Sequence, residues 1–175
     1  MRQLMLLRHS KAVPADGRID DSMRPLSPRG RRDAQEIGAY MARHRLTPDG
    51  VVCSPSKRTR ETWDIVAPAL GKPPAVAYDK RLYEATPETI LDVIRKNGGE
   101  AQRFLIIGHN PGLHKAAVSL IAAGEVDLRE RLQESLPTSG LVLIEFAFET
   151  WDQLHPRAGR LELFVTPESL KEPTD

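Results

Sequence analysis

A single cysteine, Cys53, in 175 residues has no partner for an internal disulfide. Covalent cross-linking is excluded as a source of stability, and a cytoplasmic setting is expected. Net charge is also lacking. The formal value is +1, so bulk attraction to nucleic acid or to an anionic membrane is not expected, and any anion binding must be local. Long apolar runs are absent too. "FLIIG" (Phe104 to Gly108) and "LVLIEFAF" (Leu141 to Phe148) fall far short of the ~20 residues a helical span needs. Leu4 to Leu7 run straight into Arg8 and His9, too short a stretch for the centre of a signal peptide. There is no internal repeat, no low-complexity tract and no long linker. What is present is one domain's length of chain, 40% hydrophobic and 28% charged, enough to bury one sizeable core.

Short apolar runs alternate with helical patterns. Leu4 to Leu7 reads as a first strand. Ser27 with Pro28 reads as a helix cap followed by proline at the first helical position, and Ala34, Ile37 and Met41 give that helix an apolar stripe. "GVVCS" (Gly50 to Ser54) is a short buried strand. Trp63, Val66, Ala67 and Leu70 follow at helical spacing, with Gly71 and Pro73 ending the helix. "AVAY" (Ala75 to Tyr78) predicts a third strand, Pro87 to Lys96 a helix, and "RFLIIG" (Arg103 to Gly108) a fourth strand. Leu113, Ala116, Ala117, Leu120 and Ile121 make a helical stripe. A further helix is expected over Leu128 to Leu136, then two closing strands in "LVLIEFAF" and "RLELFV". The alternation predicts a three-layer α/β/α sandwich with a mostly parallel central sheet. One domain is expected over residues 1–165, with a frayed tail over 166–175.

In such sheets ligands sit beyond the carboxyl ends of the strands. The loops that leave those ends carry Arg8-His9-Ser10, "SPSKRTRET" (Ser54 to Thr62) and "GHNPG" (Gly108 to Gly112). An edge holding Arg8, His9, Arg58, Arg60 and His109 is suited to an anion, because arginine matches phosphate oxygens with a planar fork of donors. Asn110 is expected to cap the next helix with Pro111 at its first position. The amides from Asn110 through Gly112 to Leu113 would then face a phosphate. Two histidines among arginines add chemistry. An unprotonated imidazole is a competent nucleophile toward phosphorus and splits phosphoryl transfer into two steps. Glu84, in "RLYEATP", can serve as general acid or as a structural carboxylate.

Taken together, "LLRHSKA", "RPLSPRG", "SPSKRTRET", "LYEATP" and "IIGHNPG" resemble, in order and spacing, the histidine phosphatase (phosphoglycerate-mutase-like) superfamily. The short chain, "RHSKA" and "RPLSPRG" look most like its small SixA-type branch of protein-phosphohistidine phosphatases. The resemblance implies that His9 accepts the phosphoryl group. Arg8, Arg58 and His109 would hold that group, with Asn110 and Gly112 beside it, and Glu84 falls where larger members keep a proton donor. It implies no cofactor and no metal. Ser10 stands where the commonest form has glycine, and no long mutase-type insertion is present. The expected partner is a phosphorylated protein or a small phosphorylated metabolite, not nucleic acid or membrane; oligomeric state is not readable.

Four other readings compete. A cysteine phosphatase would use Cys53 and Arg58, but only four residues separate them, one short of such a loop, and Pro55 removes an amide. A metal hydrolase would need a ligand spacing that His9 and His109 lack, and arginines would repel the cation. A non-catalytic phosphate-binding module, or a small-molecule phosphomonoesterase of the same superfamily, stays open. Arg24 can pair with Asp20 or Asp21 as readily as touch substrate. Arg60 reads as a surface residue, His44 as a helix-end residue, and His114 and His155 as surface. Ser10 and Lys11 have no assigned role.

Overall fold

Leu4, Met5, Leu6 and Leu7 are all fully buried, yet they serve two different cores. Leu4 and Leu6 join Ile90, Ile94, Phe104, Leu113 and Leu120 on one face of a sheet. Met5 and Leu7 join Ile37, Met41, Trp63, Val66 and Leu105 on the other. The side-chain period of two in a strand makes this split. A strand that is apolar on both faces must be covered on both, and each such side chain contributes about 1.5–3 kcal/mol on burial.

The structure is a computed structural model and describes residues 1–171. The strands are β1 (Arg2–Arg8), β2 (Gly50–Cys53), β3 (Val76–Tyr78), β4 (Arg103–Gly108), β5 (Ile121–Gly124), β6 (Leu141–Phe146) and β7 (Gly159–Val165). They form one seven-stranded sheet in the order β3-β2-β4-β1-β6-β7-β5. β6 runs antiparallel to both its neighbours, and every other pairing is parallel. The helices are α1 (Pro28–Arg43), α2 (Lys57–Val66), α3 (Pro87–Asn97), α4 (Gly112–Leu120), α5 (Val126–Glu134) and α6 (Pro167–Lys171). α3, α4 and α5 supply one core, and α1, α2 and α6 the other, so the expected three-layer α/β/α sandwich is the observed fold. Among the described residues no helix is long and apolar enough to cross a membrane.

Three local expectations change. α2 starts six residues before Trp63, where the Ser56 hydroxyl accepts from Thr59 N, and it tightens into a 3₁₀ turn over Ala67–Leu70; Pro68 cannot continue the α-helical bonding. Ile121 is not helical but opens β5, which pairs with the outer edge of β7. The tail expected to fray from 166 instead forms α6. Thr166 and Ser169 exchange hydroxyl–amide bonds of 2.9 and 3.0 Å, and Leu170 packs on the second core. The remainder of that expected tail, residues 172–175, lies outside the described residues.

Candidate active site

The parallel strands at the centre of the sheet end in register. Arg8 of β1 sits opposite Gly108 of β4, and Cys53 of β2 opposite Ile107. His9, His109 and Ser54 therefore leave the sheet side by side, and the two imidazole centroids are 5.2 Å apart.

His9 is buried and tightly fixed. Its Nδ1 lies 2.7 Å from the Ser10 carbonyl oxygen. A carbonyl only accepts, so Nδ1 carries the proton and Nε2 keeps its lone pair. Burial first, then the charges of Arg58, Arg8 and Arg24, lower its pKa to about 4 against the opposing pull of the Ser10 carbonyl. The ring is neutral near pH 7. Ser10, which had no role in sequence, is the wedge that sets this geometry. Its amide donates to Thr62 Oγ1 at 3.0 Å, and its hydroxyl meets that of Ser139 at 2.5 Å. Lys11 contributes its backbone: its carbonyl accepts from Ser27 N and Ser27 Oγ at 2.9 and 3.1 Å. A Cβ on Gly30 would lie 2.0 Å from that oxygen, so "SPRG" ends in the one residue that lets α1 approach.

His109 is held from the other side. Its Nε2 lies 2.8 Å from Ser54 Oγ and 3.4 Å from Ser56 Oγ, while its buried Nδ1 has no partner among the described residues. Burial, then His9 and Arg58, lower its pKa to about 3. Tyr83 packs edge-on against the ring at 5.4 Å.

The two arginines differ in what they have already bound. Arg58 is buried and gives both terminal nitrogens to Asp21: Nη1 to the carbonyl at 2.8 Å and Nη2 to the carboxylate at 3.1 Å. Tyr83 OH also donates to that carboxylate. The Tyr83 hydroxyl first, then Arg58 and Arg24, hold the Asp21 carboxyl down to about 2 against the pull of burial. Arg8 donates Nη1 to Leu136 O at 3.0 Å and has no carboxylate partner among the described residues. Burial, then Arg58, lowers its pKa. The Nε atoms of both arginines are buried without a partner among the described residues. Buried polar groups are almost always satisfied, so orphans that gather in one place call for an explanation. Here they are two cationic N–H groups and an imidazole nitrogen beside a free histidine lone pair, with the Asn110 amide oxygen as the one orphaned acceptor; the three nitrogens suit an anion.

The loops behind His109 complete one side. A cavity of about 360 Å³ is lined by Glu84, Ala85, Pro87, His109, Pro111 and Lys115 among others. Glu84 is exposed there, in left-handed backbone at φ 55°, a conformation unusual for a residue with a side chain. A Cβ on Gly112 would sit 2.1 Å from Ala85 O, which locks the start of α4 against the Glu84 loop. The expected cap is corrected. Asn110 does not cap α4 but donates Nδ2 to Leu136 O at 2.8 Å; Pro111 occupies the cap position and α4 begins at Gly112. The Leu113 amide, expected to face an anion, instead donates to His109 O at 2.9 Å.

Other candidates fall outside. Arg60 is exposed and lies over the Tyr78 ring at 5.3 Å. Arg24 pairs with Asp21 at 3.0 Å. His44 stacks on Tyr40 at the end of α1. His155 is exposed, but His114 is half-buried and meets Leu132 O at 2.5 Å, tying α4 to α5. Burial pushes the Cys53 thiol up, so it stays protonated and inert. Sequence reasoning did not single out Ser54, Tyr83 or Ser139. Asp21 entered only as a partner for Arg24, and the "DDSMRP" acid pair was the one signal available.

Comparison with known proteins fits this geometry. A model of the histidine phosphatase superfamily (branch 1) matches residues 4–89. An uncharacterized protein of Mycobacterium tuberculosis is 34% identical over 166 residues, covering 92% of this chain and 99% of its own. A structure from Agrobacterium tumefaciens that carries the name phosphohistidine phosphatase SixA is 29% identical, with a TM-score of 0.80 over 95% of this chain and 98% of that one. A protein histidine phosphatase SixA complexed with tungstate shares the fold at 18% identity and a TM-score of 0.75, over 97% and 99% of the two chains.

Proposed function

The chain belongs to the histidine phosphatase superfamily, in its SixA-type branch, and on that premise we propose that it hydrolyses phosphohistidine on a protein through a phosphorylated His9. The observation that carries the reading is the pairing of a neutral His9 whose Nε2 is free with orphaned donors on Arg8, Arg58 and His109. The Nε2 lone pair attacks phosphorus in line, and the bond from phosphorus to the substrate's imidazole nitrogen breaks. That nitrogen keeps the electron pair, and the substrate imidazole leaves neutral because its other ring nitrogen already carries a proton. Water then attacks phosphorus, the bond to His9 breaks, and inorganic phosphate leaves. Arg8, Arg58 and His109 neutralise charge on the equatorial oxygens as it builds, beside Asn110 and Gly112. The guanidiniums supply the positive charge, so the steps call for no metal.

Two features favour a protein substrate. The 3₁₀ turn Asp21–Met23 borders Arg58, and around it Ile19 and Met23 are 47% and 55% exposed; apolar side chains beside a charged site suit a macromolecular partner. Two structural relatives above 25% identity carry the phosphohistidine phosphatase name. The cavity behind His109, with Glu84 and Lys115 in its wall, favours a second reading, a small phosphomonoester whose leaving oxygen Glu84 protonates.

The test is turnover of a phosphohistidine carrier protein, nucleotides and sugar phosphates, side by side with chelator present, with quenching to trap phosphate on the enzyme. The expected result is preference for the phosphorylated protein and an acid-labile, alkali-stable phosphate on His9. Faster turnover of a small ester would transfer the assignment to the second reading.

A further inference from the structure

Two histidines face one phosphoryl site, and one of them has to donate. A neutral imidazole carries a single ring proton, so the tautomer of His109 decides what its free nitrogen can do. The hydroxyl network around it can be followed hydrogen by hydrogen. Thr59 Oγ1 donates to a carbonyl, Ser54 O at 2.7 Å or Ser56 O at 2.9 Å. Its lone pairs then accept from Ser56 Oγ at 2.6 Å, which places the Ser56 hydrogen. Ser54 Oγ is fully buried and receives Ser56 N at 3.4 Å. Its own hydrogen has one acceptor within reach among the described residues, His109 Nε2 at 2.8 Å.

We propose that Ser54 is a positioning residue for the phosphatase reaction: its hydroxyl donates to His109 Nε2, which fixes the Nδ1–H tautomer and turns that N–H into a donor for the phosphoryl group. This rests on the function proposed above. The opposite tautomer fails twice. It would leave the buried Ser54 hydroxyl without an acceptor, and it would aim a lone pair at a dianion. The lowered pKa of His109 supports the assignment, since a protonated ring would need no such choice. His9 and His109 thus share one tautomer with opposite results. The Ser10 carbonyl ties up the N–H of His9 and frees a lone pair; the Ser54 hydroxyl ties up the lone pair of His109 and frees an N–H. Ser54 reaches this place because β2 ends level with β4, with Ser54 N donating to Ile107 O at 3.0 Å.

Long-range ¹H–¹⁵N spectra of wild-type protein labelled in its histidines read the tautomer directly. His109 is expected as Nδ1–H with an unprotonated, hydrogen-bonded Nε2. An Nε2–H signal overturns the proposal, whatever the substrate proves to be. Ser54→Ala is expected to mix the tautomers and to lower kcat by about 10- to 100-fold, as loss of a group orienting a working imidazole does, with less change in KM. A double-mutant cycle separates this from packing. The side-chain amide of His109→Asn reaches only as far as Nδ1, so in that background Ser54→Ala should cost no further turnover. An equal loss in both backgrounds would make Ser54 a packing residue and end the proposal. If wild-type protein forms no phosphohistidine but shows the expected tautomer, the proposed function fails and the assignment of the proton stands.

Discussion

The two halves of the sheet make an instructive pair. β2, β4 and β1 are parallel neighbours that end at one level, and each releases a chemically loaded loop: Ser54 to Arg58, His109 to Gly112, and His9 to Ser10. β6 is buried to a similar degree, β7 and β5 less so, and neither the cavity of about 280 Å³ along Ala122, Glu145, Phe146 and Arg160 nor that of about 170 Å³ between Ile121, Arg129, Leu132 and Arg157 gathers any of the orphaned donors. Burial alone, as β6 shows, therefore does not make chemistry. A parallel edge gathers the carboxyl ends of strands distant in sequence, whereas an antiparallel pair sends one end away. The second half still acts as a brace. Gly140 O accepts from Arg8 N at 3.1 Å, Ser139 N donates to the carbonyls of Arg8 and His9 at 3.1 Å, and Leu136 O anchors both Arg8 and Asn110.

The sharpest way to break that contrast is to remove the proposed nucleophile. His9→Ala should lose at least about 10⁴-fold in turnover and trap no phosphate. Wild-type turnover in that variant would sink the mechanism. Arg58→Ala should lose about 10²- to 10³-fold in kcat, the scale for one donor to a developing charge. Arg129→Ala in the other half should change it less than about twofold, since an isolated surface change is nearly neutral.

Acid should erase the difference next. His9 must be unprotonated to attack, so kcat/KM, which reports the free enzyme, should hold down to about pH 4 and be roughly tenfold lower one unit below. An acid limb at the ordinary histidine value, once substrate ionisation is corrected for, would show that burial and the arginines do not depress the ring. Stability follows with the same sign. The unfolded chain takes up protons on these two histidines near pH 6.5, and the folded one only near 4 and 3. Their contribution is whole above 6.5 and is lost as pH falls through that window, which urea titrations at pH 7 and pH 4.5 would measure.

How much of this contrast was written in the sequence depends on the range of the signal. Periodicity and capping are local, so β1, α1 and β4 could be read from a few residues each, and Ser27 with Pro28 marked a helix start that the structure keeps. The arginines and histidines stood out because charge at the end of an apolar run is locally odd. Ser54, Asp21 and Ser139 are different. Each works through a partner far along the chain: Ser54 with His109 across 55 positions, Asp21 with Arg58 across 37, Ser139 with Ser10 across 129. A serine or an aspartate has no periodic mark that forecasts such a partner. β5 was missed for a related reason, since Ile121 to Gly124 extend because β7 offers an open edge.

The brace itself can be tested with a smaller change. Ser139 holds φ 61° and shares a hydroxyl contact with Ser10. Ser139→Gly keeps that backbone accessible and removes the hydroxymethyl side chain with its contact to Ser10. It should cost about 1–2 kcal/mol of stability and a few-fold in kcat, by loosening the carbonyl that orients His9. An unchanged kcat beside a lower Tm would mean the antiparallel half supports the fold and not the site.

On phosphohistidine the smallest expected effect falls on Glu84, and its size depends on the substrate. An alkoxide is a poor leaving group and needs a proton as the bond to phosphorus breaks, so Glu84→Gln should slow an alkyl phosphate by about 10²-fold or more. The other ring nitrogen of phosphohistidine can be protonated before the bond breaks, so the imidazole leaves neutral and the same change should slow it less than about threefold. Glu84 is exposed at the rim of the cavity behind His109, where it can reach a small leaving group inside and lie clear of a protein docked outside. Running both substrates on one Glu84→Gln preparation cancels any difference in folding. A large ratio between the two losses assigns the carboxylate to ester chemistry alone. Equal losses would make Glu84 a general acid for both, or, if both are small, a residue that only holds the left-handed turn over α4.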